Sequence, residues 1–202
     1  YQTKSHGQTT DNSRTYLEIS TEEEALLDTV KENFAKVVVI VNSTNTMQLG
    51  FLNDYRIQAC LDVGIPGQSG TLAIGRILDG TVNPSGHLTD TYAYDLTQEP
   101  SFSNYLRNGN NIQYLEDIYF GYKWYETADA EGYFAGIDNE YGKGYDGVVQ
   151  YPFGYGLSYT DFEWTLTDAT LPDGSELGAD SHLELTFSCT NTGTVSGKDV
   201  LE

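Results

Sequence analysis

The side chains able to do chemistry in this sequence are three histidines (His6, His87, His182), two cysteines (Cys60, Cys189) and thirty carboxylates set against ten basic residues. Their spacing excludes most familiar sites. No glycine-rich loop ends in Lys-Ser or Lys-Thr to cradle a phosphate, and no His-Glu-x-x-His presents a zinc pair on a helix. "GLSYT", residues 156–160, has the serine of a nucleophile elbow without its second glycine. "DNEYGKGYDG", residues 138–147, offers oxygen ligands without the spacing of a calcium loop. Neither a cofactor nor a metal is expected. His87 and His182 fall in a turn region and at a strand start and take no role. Asn42-Ser43-Thr44 fits a glycosylation acceptor by pattern alone.

Charge narrows the ligand class. A formal net charge of −20 repels phosphate backbones and anionic lipid surfaces alike, so nucleic acid and membranes are poor partners. A neutral ligand such as a sugar remains compatible, although acidity also serves solubility alone. The longest aliphatic run, "VVVIV" at residues 37–41, is far too short to cross a bilayer. The chain opens on Tyr1 with neither initiator Met nor signal peptide, as a piece of something longer would. The two cysteines fall in different expected domains, so two separate thiols are expected and no disulfide.

The elements that must position any site follow from periodicity. "STEE" at Ser20 is a capping box, with Glu23 reaching back to the Ser20 amide. Leu26, Leu27, Val30 and Phe34 then form one apolar face, which predicts a helix. Residues 37–41 are β-branched and apolar on both faces, as in an interior parallel strand. A polar loop (42–46), a weak helix (51–59), a second strand (60–65) and a helix capped by Ser69 and closed by Gly80 complete the pattern. Alternating helix and strand imply an α/β layered sheet, with ligands beyond the carboxyl ends of the strands, here at residues 42–46 and 65–69. From residue 89 to 150 tyrosine and glycine become dense and periodicity fades. After Thr160 the pattern is all-β: in "HLELTFSCTNTG", Leu183, Leu185 and Phe187 alternate with polar residues.

Five segments in order resemble the C-terminal half of a family 3 glycoside hydrolase, a β-glucosidase-like enzyme. They are "VVVIVNSTNTMQL", "GIPGQSGTLAIGRILDGTVNPSGHL", "YLEDIYFGYKWYE", "YPFGYGLSYTDF" and "TNTGTVSGKDVLE". The resemblance implies an α/β sandwich domain over residues 1–159, beginning before Tyr1 in the parent. The opening strands of an all-β fibronectin type III-like domain would follow over 160–202. The aromatic-glycine stretch at 151–162 would be the crossing between them, its rings Tyr151, Phe153, Tyr155 and Tyr159 filling an interface.

The resemblance also implies chemistry. Relatives are mostly retaining: one carboxylate attacks the anomeric carbon, and a second donates and then removes a proton. The nucleophile would be an Asp on a separate (β/α) barrel absent from this chain, so this chain alone would not hydrolyse. The acid/base is usually a Glu in a loop that matches "SHGQTTDNSRTYLEIS". Aligning Asp11 with the family's Asp puts Gln8 at the Glu position, and Gln has no titrating proton. Asp11 and Glu18 are the nearest alternative carboxylates, and His6 could hydrogen-bond sugar hydroxyls. Asp117 stands where the family commonly has Gly. The parent is expected to cleave β-linked glucosides or xylosides from the non-reducing end. The alternative is a carbohydrate-binding or structural remnant without a working acid/base.

Overall fold

The computed structural model describes residues 14–104, 113–171, 178 and 182–201. His6, Gln8 and Asp11 lie outside them. The contacts divide the chain into two compact units, one from the described parts of Tyr1–Gly70 and Leu88–Tyr155, the other from Thr71–His87 and Gly156–Glu202.

In the first unit, α1 (Thr21–Asn33) starts as expected. The Ser20 hydroxyl accepts from the Glu23 amide at 3.1 Å, and Glu23 Oε2 accepts from the Ser20 amide at 2.6 Å. Glu22, Glu23 and Glu24 in its first turn suit the positive end of the helix dipole. Its apolar stripe is only partly covered: Leu27 and Val30 are half-buried, but Leu26 is 64% and Phe34 65% exposed. β1 (Val38–Val41) pairs in parallel with β2 (Ala59–Asp62), Val38 opposite Ala59 and Val41 opposite Asp62. Register therefore puts Val39, Val41, Cys60 and Asp62 on one face and Val38, Ile40, Ala59 and Leu61 on the other.

The first face meets a cluster of Val41, Leu49 and Tyr92, joined by Met47, Phe51 and Leu52. The second does not meet the expectation of burial on both faces, since Val38 and Ile40 are each 44% exposed. Two further expectations are corrected. The weak helix over 51–59 is a single 3-10 turn, Gly50–Asn53. The chain then turns at Asp54, whose carboxylate accepts from the Arg56 amide and guanidinium and pairs with Lys31. The second strand stops at Asp62 rather than 65, because Gly64 takes φ +52° and its amide turns back to Asp62 Oδ1 at 3.1 Å.

The unit's larger core gathers Ala93, Leu96, Tyr125, Ala128, Phe134, Val148 and Val149. It is framed by β3 (Tyr92–Ala93), antiparallel to β4 (Val149–Tyr151), and by α4 (Tyr122–Ala130), with the short α3 (Pro100–Asn104) preceding it. Burying Phe134, among the largest enclosed side chains, contributes about 2 kcal/mol, and Tyr125 is enclosed with it. Of the tyrosines dense after residue 89, Tyr92 and Tyr125 are buried in this unit's two cores. The rings of 151–155 also take protein partners. Phe153 stacks on Tyr122 at 4.4 Å, and Tyr151 lies 4.9 Å from Tyr155.

In the second unit, α2 (Thr71–Leu78) ends at Gly80, φ +79°, the left-handed position expected there. Its predicted cap at Ser69 is corrected: the helix begins two residues later, after a turn closed by the Gly70 amide on the Pro66 carbonyl. The Tyr159 hydroxyl donates to the Ile77 carbonyl at 2.8 Å, a structural use of that ring. β5 (Phe162–Thr170) and β6 (Glu184–Asn191) pair antiparallel with a bulge between Leu166 and Asp168. Of the three side chains expected inward, Phe187 meets Trp164 edge-on at 6.5 Å, whereas Leu183 and Leu185 are 48% and 46% exposed. Cys60 and Cys189 are separate free thiols.

Candidate functional site

The parallel pair ends where a ligand would be expected, at Val41 and Asp62. The Asn42 carboxamide donates to the Gly64 carbonyl, tying the two strand ends together. Asp62 is the hub. Its Oδ1 accepts from the Gly64 amide, and its Oδ2 accepts from the Tyr92 hydroxyl at 2.7 Å. Burial, then the Asp62 carboxylate, pushes the Tyr92 phenol well above the ordinary tyrosine range, so it stays a neutral donor. With both oxygens engaged, Asp62 holds the loop. Beside it, Ser43 closes a small turn with Asn45, its hydroxyl accepting from that amide at 3.1 Å and donating to that carbonyl at 2.9 Å.

The segment ahead of α1 reaches this rim. The Gln48 amide donates to the Leu17 carbonyl at 2.9 Å, and Leu17 packs against the larger core. Glu18, the expected acid/base candidate within the described residues, accepts from the Thr15 amide at 2.6 Å through Oε2 and closes a tight turn. Arg14 donates to the Ile19 carbonyl at 3.0 Å and pairs with Glu24. Glu18 is therefore held by backbone in a segment tethered to the loop after β1. Further along, Gln150 Nε2 donates to the Leu49 carbonyl at 2.9 Å and to Asn53 Oδ1 at 3.1 Å. Tyr94 and Tyr141 stack nearly parallel at 3.9 Å. Among the described residues, no group of three or more His, Cys, Asp or Glu side chains could hold a metal ion.

Sequence reasoning missed Asp62 and Tyr92, whereas Asn42 lies in the 42–46 loop expected to face a ligand. The signal for Asp62 was available: a carboxylate in "CLDVG" that ends an otherwise apolar strand on the face shared with Cys60. It also left His87 without a role, although in the second unit His87 Nε2 lies 3.2 Å from Asp199 Oδ1. Asp199 Oδ2 accepts from the Trp164 indole at 2.7 Å.

The profile of the glycosyl hydrolase family 3 C-terminal domain matches residues 2–159, a range containing both strand ends and the tethered segment. The chain belongs to glycosyl hydrolase family 3. Within this family it is 33% identical over 180 residues to a β-glucosidase of Ruminococcus albus, covering 89% of this chain and 16% of that protein. It is 35% identical over 189 residues to β-glucosidase A of Butyrivibrio fibrisolvens, covering 89% of this chain and 21% of the relative. A β-glucosidase structure from Paenibacillus barengoltzii superimposes with a TM-score of 0.71 at 33% identity, covering 91% of this chain and 18% of that one. The chain thus spans about a fifth of the length of these family 3 relatives.

Proposed function

We propose that this chain is the α/β sandwich domain, over residues 1–159, and the opening strands of a fibronectin type III-like domain, over 160–202, of a retaining glycoside hydrolase. The intact enzyme cleaves β-linked glucosides or xylosides from the non-reducing end. Its nucleophile is an Asp on a (β/α) barrel elsewhere in the same protein. The observation that carries the reading is the family match across 2–159, which includes the polar rim beyond the carboxyl ends of β1 and β2. The antiparallel β5–β6 pair supports the second domain. The open faces support an incomplete sandwich: parallel strands are ordinarily buried on both sides, and here Val38 and Ile40 of β1, with Leu26 and Phe34 of the α1 stripe, are partly open to solvent.

In this reading a carboxylate of the segment ahead of α1, Asp11 or Glu18, serves as acid/base, and His6 and Gln8 contact the sugar. Glu18→Gln is a clean probe, because Gln keeps an oxygen to accept from the Thr15 amide. Aryl β-glucoside hydrolysis by the intact parent tests the roles. Loss of the true acid/base lowers kcat by about 10²- to 10⁴-fold. One specific feature favours the alternative of a non-catalytic remnant: Gln8 stands where the family's Glu is expected. Full activity in both Asp11→Asn and Glu18→Gln would remove the two carboxylates from the reaction. A parent without hydrolysis that gains it on Gln8→Glu would establish the remnant.

A further inference from the structure

One side chain stands at both ends of the loop over residues 42–48. Tyr92, 7% exposed, clusters with Val41 and Leu49, the residues that flank the loop. Packing alone would be met by Phe there. The hydroxyl adds a bond that Phe lacks: it reaches from β3 to the end of β2 and donates to Asp62 Oδ2 at 2.7 Å. Asp62 Oδ1 accepts from the Gly64 amide at 3.1 Å, and the Gly64 carbonyl accepts from the Asn42 carboxamide at the start of the loop. At the other end of the loop the Gln48 amide donates to the Leu17 carbonyl at 2.9 Å. Leu17 belongs to the turn that the Glu18 carboxylate closes on the Thr15 amide. A connected set of bonds and contacts thus joins Tyr92 to the segment ahead of α1, all of it within the first unit.

We propose that Tyr92 and Asp62 are positioning residues for the proton transfer of hydrolysis: their bond fixes the 42–48 loop, and the loop fixes the Leu17–Glu18 turn. The proposal rests on the reading that a carboxylate of this segment is the acid/base. In the glycosylation step the nucleophile's carboxylate bonds to the anomeric carbon while the glycosidic C–O bond breaks, and the acid/base passes its proton to the departing oxygen. That transfer needs hydrogen-bond reach. A misplacement of about 1 Å can cost about 100-fold. Both residues act through the loop, so neither is a catalytic residue. Asp62 is committed to the Gly64 amide and to Tyr92, while burial, then that carboxylate, keeps the Tyr92 phenol a neutral donor. Leu17 is also packed against the larger core. Loss of the tether therefore shifts the turn without releasing it, and the consequence is a misplaced acid rather than an unfolded segment.

The test compares Tyr92→Phe, Asp62→Ala and Asp62→Asn in the intact parent on phenyl and dinitrophenyl β-glucosides, with the matching β-xylosides. A phenol leaves slowly unless it is protonated, whereas a dinitrophenol leaves readily as its anion. The readout is the ratio of kcat/KM on the phenyl substrate to that on the dinitrophenyl one. A smaller amount of folded enzyme lowers both alike and does not move the ratio. Tyr92→Phe keeps the ring in its cluster, and Asp62 is exposed, so these variants fold. The expected result is a fall in the ratio of about 10-fold for Tyr92→Phe and for Asp62→Ala, with no further fall when the two are combined. Asp62→Asn should recover most of it, because the carboxamide keeps an acceptor for the Gly64 amide and offers an N–H to the phenol oxygen. Hydrogen exchange at the Gln48 amide should quicken several-fold in the first two variants. An active parent whose ratio is unmoved by Tyr92→Phe and Asp62→Ala would overturn the proposal and leave the hydrolase reading standing, and so would unchanged exchange at Gln48. A parent that hydrolyses none of these substrates would remove the reading and the proposal together.

Discussion

Asp117 shows what a single residue costs when the backbone demands another. Its φ of +52° lies where a β-carbon is penalised by roughly 1–2 kcal/mol, less for Asp than for most residues. Asp117→Gly should therefore stabilise the chain by up to about 1 kcal/mol, part of the relief being offset by the greater freedom of glycine when unfolded. A urea midpoint that falls on this substitution would show that Asp117 makes a contact worth more than its strain. The family resemblance had marked the position as one where Gly is common; only the backbone angle supplies the reason. Cys60 is a second case. Its residue is open to solvent, yet the protein around the thiol desolvates it and, with Asp62 nearby, pushes it up to about 11. Iodoacetamide at pH 8 should alkylate Cys60 on the order of 100-fold more slowly than an ordinary thiol, recovering only as pH approaches 11. Ordinary reactivity at pH 8 would contradict that environment. The Asp62–Tyr92 bond cannot be read from one strand, because it depends on a partner 30 residues further along.

At the scale of elements, local signals were legible and distant ones were not. The capping box at Ser20 and Glu23 needs only four consecutive residues, and both of its bonds are present. Ser20→Ala should cost about 1 kcal/mol, read as a lower melting temperature, and an unchanged melt would mean that α1 is held by packing alone. The parallel pairing of β1 and β2 was expected from the β-branched β1 and the alternating pattern, and it is present although the intervening helix over 51–59 does not form. The helix over 51–59 was misread because the chain there is turned by Asp54 bonding Arg56 and Lys31, side-chain chemistry that hydrophobic period does not register. The second unit holds a pH-dependent element. The Trp164 indole, and more weakly His87, hold the Asp199 carboxyl below the usual carboxylate range. A depressed folded value adds stability above the unfolded value of about 3.9, and that stability is lost as pH falls through the folded one. Asp199→Asn should lower the melting temperature at pH 7 and shrink the fall between pH 7 and 3. A variant with the same acid sensitivity as wild type would show that Asp199 carries none of it.

For the whole molecule, apolar surface is the dominant fact. The second face of β1–β2, the stripe of α1 and the loop over 114–122 together leave Val38, Ile40, Leu26, Phe34 and Ile118 in water. The sequence pattern called for burial at the strand and the helix, because period reports which side chains want cover and not whether cover lies within the same 202 residues. In the proposed function, this exposure and the family match make the chain one wall of an enzyme whose other domains supply the nucleophile and the missing contacts. Hydrolysis of an aryl β-glucoside tests this most directly, comparing the intact parent with the 202-residue chain alone. The expected result is turnover with retained anomeric configuration by the parent and none by the chain. An intact parent that leaves both aryl β-glucosides and β-xylosides untouched, or a lone chain that hydrolyses them, would contradict it.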